Sequence, residues 1–423
     1  MKFGVFIAAF ICVAYATNIE NDIVQKEISE ALYDTSNISP ANIACSVSVH
    51  THLADPQPLL IRPGTEQFFH PTDSRGFIEM TLNQPMELFC TTGFATPSGV
   101  SGSLITINCS QGTIFRFNNI FYNMNEFTCR DWPTHVPRRR TGSQRCFNNG
   151  IFVDTGFAVS NRFLRVFTTC HDTVTEENYY TSYHITPPSA NQVRNVVRPR
   201  WEQADFFPGK NVDSLHTRTN QRNTIAAILN SASQAARWIE DSPSDIFLAR
   251  GHLAAMSDFI TPNEQRSTFY FTNTAPQFQT FNGLNWVNVE VSSNHLAGNR
   301  NITLETYTGT FGIGQLRDAL NTPRQIFLGW PQRQIPMPML FYKILINRAG
   351  NSGVVLLGVN NPHLTLTEIL RDYVICSDVA DMITWVTWQR TNLHRGYGYA
   401  CTVNDFINRT RHIPGLSVAN LLV

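Results

Sequence analysis

The chain has 423 residues, and its 32 Lys and Arg balance 32 Asp and Glu, so the formal net charge is zero. That balance excludes a globally basic surface as the grip on a polyanion and leaves the task to local patches. Charged residues at 15% and hydrophobic residues at 42% exclude a disordered chain, and the length favours two domains over one core.

Residues 1–16 read as a secretory signal. Lys2 supplies the charge, Phe3 to Tyr15 the apolar run, and Ala14-Tyr15-Ala16 a small-residue cleavage site before Thr17. The run is too short to span a bilayer, and no later stretch is apolar enough. An exported, extracellular protein without a membrane segment is therefore expected, a gut lumen being one destination. Residues 17–44 read as a polar leader or propeptide with a short helix at Ile23 to Leu32.

Removing Cys12 with the signal leaves eight cysteines: Cys45, Cys90, Cys109, Cys129, Cys146, Cys170, Cys376 and Cys401. An even set in an oxidising compartment implies disulfides, although eight cysteines allow about 105 pairings. No CxxC pair is present to suggest zinc. Asn301-Ile302-Thr303 and Asn408-Arg409-Thr410 have the form of glycosylation acceptors.

Residues 45–172 carry six of those cysteines and a series of short β-type runs: 58–61, 76–80, 86–90, 103–107 and 113–117. Gly, Pro, Asn and Ser punctuate them, which predicts a disulfide-stapled all-β module. Arg138-Arg139-Arg140 with Arg145 forms a basic knot within it, readable as a phosphate contact, a processing site or a solvated loop. From residue 173 the pattern changes. Tyr179 to Ile185 reads as a strand. Ile225, Ile228, Leu229, Ala232, Ala235, Ala236 and Ile239 follow helical spacing. Strands are predicted at Thr268–Thr272, Thr303–Tyr307, Leu340–Ile346 and Val354–Val359. Mixed order of this kind predicts an α+β domain over 173–423 with a largely antiparallel sheet.

The chemistry concentrates in one ordered series. Arg250-Gly251-His252 comes first, Asn273-Thr274-Ala275-Pro276-Gln277 about twenty residues later, then Asn282, Trp286 and Glu290. A phosphodiester repels nucleophiles through its own charge, so cleaving one needs an activated water, charge neutralisation and a stabilised leaving oxygen. His252 is the natural base, because an imidazole titrates near working pH. Asn282 offers a neutral hard oxygen suited to Mg²⁺, or Mn²⁺, which keeps several waters and needs few protein ligands. Glu290 follows eight residues on, which in a regular helix is about 80° around and two turns away. It is expected to act on the metal through water. Trp286, between them, reads as core packing. Taken singly, each residue has an ordinary reading: a hydrogen-bonded core histidine, an N-cap asparagine, a solvated glutamate.

With those motifs in hand, residues from about 178 to the C-terminus resemble the DNA/RNA non-specific endonuclease family. That family includes bacterial secreted nucleases and mitochondrial endonuclease G, and its members share a ββα-metal active site. Tyr183-His184-Ile185-Thr186-Pro187, Arg198-Pro199-Arg200-Trp201 and Thr402-Val403-Asn404-Asp405-Phe406 also resemble family segments. The resemblance implies His252, Glu290, Arg200 and Arg250 as catalytic, and Asn282 as the metal ligand. It implies Arg198, Asn273 and Gln277 as substrate-binding, with Arg198 a rival to Arg200 for the transition-state charge. Secretion, the β module and the Ala-Arg-Gly-His spelling resemble the insect secreted double-stranded-RNA-degrading nucleases. The implied substrates are double-stranded RNA, DNA and single-stranded RNA, cut without sequence preference to leave 5′-phosphates. Two departures motivate an alternative, a weakened or inactive nucleic-acid-binding protein. The family's aspartate before Arg-Gly-His is Ala249 here, and the arginine often found four residues after the glutamate is Asn294.

Overall fold

The computed structural model describes residues 42–142, 144–413 and 415–423; the expected signal, Cys12 and the helix expected at Ile23 to Leu32 lie outside them. The eight cysteines form four disulfides: Cys45–Cys109, Cys90–Cys129, Cys146–Cys170 and Cys376–Cys401. The first two staple the N-terminal module. Its five-stranded antiparallel sheet runs in the order 59–61, 85–89, 104–111, 114–117, 120–123, and Ile43–Ser48 pairs with Phe77–Thr81 beside it. Alternation does the sorting: along Phe77–Thr81 only Ile78 and Met80 are buried, and they join Val47, Met86, Leu88 and Ile107 in the module's core.

Ten strands frame the remainder: β1 (His135–Arg139), β2 (Gly150–Val159), β3 (Arg162–Asp172), β4 (Asn178–Ile185), β5 (Leu248–His252), β6 (Thr274–Phe278), β7 (Leu304–Ile313), β8 (Pro338–Asn347), β9 (Ser352–Val359) and β10 (Gly398–Cys401). Eight of them form one antiparallel sheet in the order β1-β2-β3-β4-β7-β8-β9-β10, with Asn420–Leu421 added in parallel to β9. β5 and β6 make a separate antiparallel pair. The fold is α+β with a largely antiparallel sheet, as expected. The boundary expected at 172 is corrected by the pairing, because β1, β2 and β3 lie before it and are continuous with β4. Reading every β-type run before 172 as module missed that strands on either side of a chain segment can share one sheet. The basic knot belongs to this sheet too. Arg140 pairs with Asp154 at 2.6 Å, and Arg138 lies over the Phe163 ring at 3.5 Å on the exposed edge strand. Charge on an edge of this kind discourages further strand pairing.

β8 separates two cores by its alternation. Leu340, Tyr342, Ile344 and Ile346 face one side, where helix 403–410 supplies Val403 and Phe406. Phe341 and Leu345 face the other, against Trp286, Val289 and Leu296 of the helix that follows β6. Lys343 falls on that second side and is fully buried. The module is bound into the same structure. Ile260 sits in its apolar core, Leu59, Ile61 and Phe89 pack on Phe157, Val159 and Leu164, and Asn263 donates to the carbonyls of Gln57 and Pro58.

Two predicted elements differ locally. The helical spacing from Ile225 to Ile239 spans two helices, Arg218–Leu229 and Ala232–Trp238, because Asn230 turns left-handed (φ 50°) and Ser231 caps the second. Thr268–Thr272 is a buried loop rather than a strand. All five residues are buried with no alternation, and Tyr270 makes only an isolated bridge to Glu202.

A chain beginning at residue 173 lacks three strands of the main sheet. We expect it to yield no cooperative thermal transition and no monomeric gel-filtration peak, whereas residues 42–423 give both.

Candidate active site

The site is built on the β5–β6 pair. Gly251 faces Gln277 so closely that a Cβ there would meet Gln277 Oε1 at 2.2 Å, which is why a glycine precedes the histidine. His252 ends β5 opposite Thr274. Asn273 then locks the long connection. Its Oδ1 accepts from Ala254 N–H at 2.9 Å, and its Nδ2 donates to the carbonyls of Ala254 and Thr268 at 3.0 and 3.1 Å. Asn273 is fully buried and these bonds occupy its amide, so the substrate contact implied for it is corrected to a structural role. Gln277 is also fully buried; neither of its amide atoms has a hydrogen-bond partner among the described residues. The direct substrate contact implied for it finds no exposed surface.

His252 as a whole residue is half-buried. Trp201 lies 4.7 Å from it, centroid to centroid, and Phe269 stands edge-on at 5.0 Å. Burial among these rings holds its pKa down to about 3, with the Arg198 charge adding to the effect. The ring is therefore neutral across the physiological range. Its tautomer follows from Thr268. That hydroxyl donates its single proton to the Gln265 carbonyl at 2.7 Å, so toward His252 Nε2, at 3.3 Å, it can only accept. Nε2 therefore carries the proton, and Nδ1 is left with the lone pair.

After β6 the chain enters a helix almost at once. Gln279–Phe281 is α-helical, Asn282–Trp286 forms a π turn, and Val287–Arg300 continues as α-helix. Phe281 anchors its start. A Cβ on Gly358 would meet the Phe281 ring at 2.2 Å, so the sheet must be bare there to admit it. Asn285 holds the turn by donating to the carbonyls of Gln389 and Gly396. Trp286 is core, packed on Phe281 and Phe341, as expected. The π turn changes the geometry read from spacing. One inserted residue makes eight positions behave as seven, so Asn282 and Glu290 lie roughly 20° apart rather than 80°, on one face about 10 Å apart along the axis. Asn282 is partly exposed, and its Nδ2 donates to Gln279 Oε1 at 3.1 Å.

Among the described residues the Glu290 carboxyl has no hydrogen bond or ion pair, and only neighbouring charges act on it. Burial raises its pKa to about 8, the nearby Asp258 charge adds to the rise, and Lys343 and Arg198 oppose it. Arg198 thus acts on both His252 and Glu290. Arg200 is exposed two residues on, and its charge is not among those acting on either group. Of the two rivals, only Arg198 has a charge that acts on these groups. Arg250 turns away, donating to Asp213 Oδ1 at 2.6 Å and to the Asp213 carbonyl, so it braces the neighbouring segment. Asn294 is buried and donates to the Ser257 carbonyl at 2.9 Å, so it tethers the helix rather than reaching substrate.

Beneath Glu290 lies a buried network that the motif reading missed. Lys343 Nζ contacts Asp258 Oδ2 at 2.7 Å, both side chains are fully buried, and Tyr183 Oη donates to the same oxygen at 2.6 Å. The signal for it was one lysine in the otherwise apolar run Leu340–Ile346. Thr268 and Phe269 were missed as well, because their role depends on the loop path.

A divalent cation fits these residues. Among the described residues no three His, Cys, Asp or Glu side chains converge, so a metal here would rely on few protein ligands, as Mg²⁺ does. Asn282 carries an amide oxygen free of any described hydrogen bond, and Glu290 is an acidic group whose carboxyl makes none among the described residues.

The chain matches the family model described as DNA/RNA non-specific endonuclease over residues 148–406. It is 23% identical to a salivary endonuclease of Lutzomyia longipalpis over 385 residues, covering 89% of this chain and 86% of that one. It is 25% identical to salivary protein Tsal1 of Glossina morsitans morsitans, covering 70% of this chain and 73% of that one. A solved structure of an EndoG/EndoGI complex aligns at 19% identity with a TM-score of 0.30, over 48% of this chain and 72% of that one.

Two outcomes follow from the electrostatics. Lys343→Met leaves Asp258 buried without its cation and should cost about 3–5 kcal/mol in denaturant unfolding. The Asp258→Asn/Lys343→Met double variant should recover much of that loss. The second concerns pH. Glu290, with a folded pKa raised to about 8, binds its proton more tightly folded than unfolded, so its contribution to stability is lost as pH rises toward and through 8. In chelator, Glu290→Gln should therefore gain more in melting temperature over the wild type at pH 9 than at pH 5.

Proposed function

The chain belongs to the DNA/RNA non-specific endonuclease family, a metal-dependent family of phosphodiester hydrolases, and we propose that it is a secreted, Mg²⁺-dependent endonuclease cutting RNA and DNA without sequence preference. Double-stranded RNA is the favoured substrate in this reading, with DNA and single-stranded RNA also cut, and the products carry 5′-phosphates. Mn²⁺ substitutes for Mg²⁺. The salivary origin of the relatives supports export, and among the described residues no helix is long and apolar enough to cross a membrane.

The observation that carries the reading is the neutral His252 ring, with Nε2 bonded to Thr268 and Arg198 alongside. Nδ1 takes the proton of the attacking water. Base catalysis is most effective with a pKa near the working pH. A bound phosphate raises the ring's proton affinity, because an anion beside it opposes the desolvation that holds the imidazole neutral and offsets the Arg198 charge as well. Arg198 holds a phosphate oxygen and stabilises the charge that grows there. A bound Mg²⁺ would neutralise phosphate charge and acidify water. Asn282 would hold it, and Glu290 would orient its water shell. Contacts to phosphates carry no base information, which agrees with low sequence preference.

The test uses long double-stranded RNA and purified protein. Fragmentation is expected with Mg²⁺ and not with chelator. His252→Ala should lower the rate on the order of 10²–10⁴-fold with an unchanged circular dichroism spectrum. Cutting at the wild-type rate by that variant contradicts the base assignment. A shifted but intact band from the wild type would point instead to a binding protein.

A further inference from the structure

A crevice of about 320 Å³ opens where the N-terminal module meets the catalytic unit. Its walls include Pro56, Trp132, Val196 and Pro262, with Asp55 and Arg194 among its polar groups. The loop that forms one wall is pinned at both ends. The Val193 carbonyl accepts from Gln265 at 2.8 Å, and the Val197 carbonyl accepts from Arg266 at 2.7 Å. Between those pins Arg194 and Asn195 are exposed, and Val197 is 77% exposed. The Val197 side chain is thus available at the crevice mouth.

Trp132 forms the other wall. The Arg266 guanidinium lies over its ring at 4.8 Å, yet Arg266 does not line the crevice and Trp132 does. The indole therefore offers the crevice surface that the guanidinium leaves bare. Arg266 joins the two walls, stacking on Trp132 and holding the Val197 carbonyl. The residue after Val197 is Arg198, whose charge acts on His252 and Glu290. The loop that walls the crevice thus runs directly into the residue whose charge acts on His252 and Glu290.

We propose that, when a single strand is the substrate, this crevice binds an unpaired nucleotide flanking the cleaved bond, its base against Trp132 and its phosphate toward Arg194. The proposal rests on the chain acting as a nuclease. An aromatic face with a guanidinium at the rim is the chemistry that holds single-stranded nucleic acid, since every base has a face to stack. The space suits a base and sugar and is too small for the width of a duplex. Asp55 repels phosphate but accepts from base amino groups, so it faces the base. Asp55 also acts on Arg266, raising that guanidinium's proton affinity against the lowering effect of burial. The module accordingly becomes part of the path taken by single-stranded substrate.

The test uses the full chain carrying His252→Ala, so that substrate survives, and a fluorescein-labelled 12-nucleotide single-stranded RNA with 5-bromouridine at successive positions. Ultraviolet cross-linking followed by peptide mapping should place adducts in 130–134 or 193–197. In anisotropy titrations, adding Arg194→Glu or Trp132→Ala should weaken binding on the order of ten- to a hundredfold, and Trp132→Phe should retain most of it. A blunt duplex of equal length should give no adduct in these segments. Adducts confined to other peptides, or affinity unchanged by Arg194→Glu, overturn the proposal, as does equal cross-linking of the duplex. Each readout is binding, so its failure is distinct from a failure of the wild-type protein to cut.

Discussion

Asn273 is the interaction on which the arrangement depends. Three hydrogen bonds from one buried amide join the residue two past the histidine to the threonine that accepts from its ring. The connection from β5 to β6 is long, and closing it costs entropy that a few well-placed bonds must offset. With the loop closed, Thr268 fixes the imidazole tautomer and Phe269 dries it. The chain can then pass through β6 into the helix that returns Asn282 and Glu290. Asn360 performs the matching task at the other end of β6, accepting from Phe278 N–H and donating to the Pro276 carbonyl.

The electrostatics of the site share one cause, which is burial without full pairing. Desolvation pushes an imidazole toward neutrality and a carboxyl toward protonation, so His252 and Glu290 move in opposite directions from the same environment. Arg198 lowers both values and is the link between them. Lys343 and Asp258 sit below as a compensated pair, in which Asp258 adds to the rise at Glu290 and Lys343 opposes it. Displaced proton affinities of this kind, gathered in one place, mark functional sites more often than ordinary surfaces. Polyanion chemistry at zero net charge then becomes understandable: the positive charge is placed at the site rather than spread over the surface.

What the sequence made legible was whatever depends on periodicity and order. Strands β4, β7, β8 and β9 were visible in alternation or apolar runs, and the Arg-Gly-His to Glu290 series appeared in sequence order. Three features resisted. The sheet crosses residue 172 because β3 and β4 pair, and pairing between distant segments leaves no local trace. The π turn is set by Phe281 wedging against Gly358 and by Asn285 bonding to the Gln389–Gly396 segment, so regular spacing misplaced Glu290 by most of a quadrant. Lys343 announced a buried partner, but Asp258 lies 85 residues away and only the fold names it. Arg198 and Arg200 were indistinguishable by spacing, and it is the Arg198 charge that acts on His252 and Glu290.

The central claim is that His252 is a neutral imidazole carrying its proton on Nε2, with Nδ1 open to a proton from water. Long-range ¹H–¹⁵N correlation of histidine-labelled protein measures this directly, with His252→Ala assigning the signal. The account predicts that at pH 5.5 the His252 ring is uncharged, with Nε2 protonated and Nδ1 bare. An imidazolium pattern at that pH, or a proton on Nδ1, would contradict it.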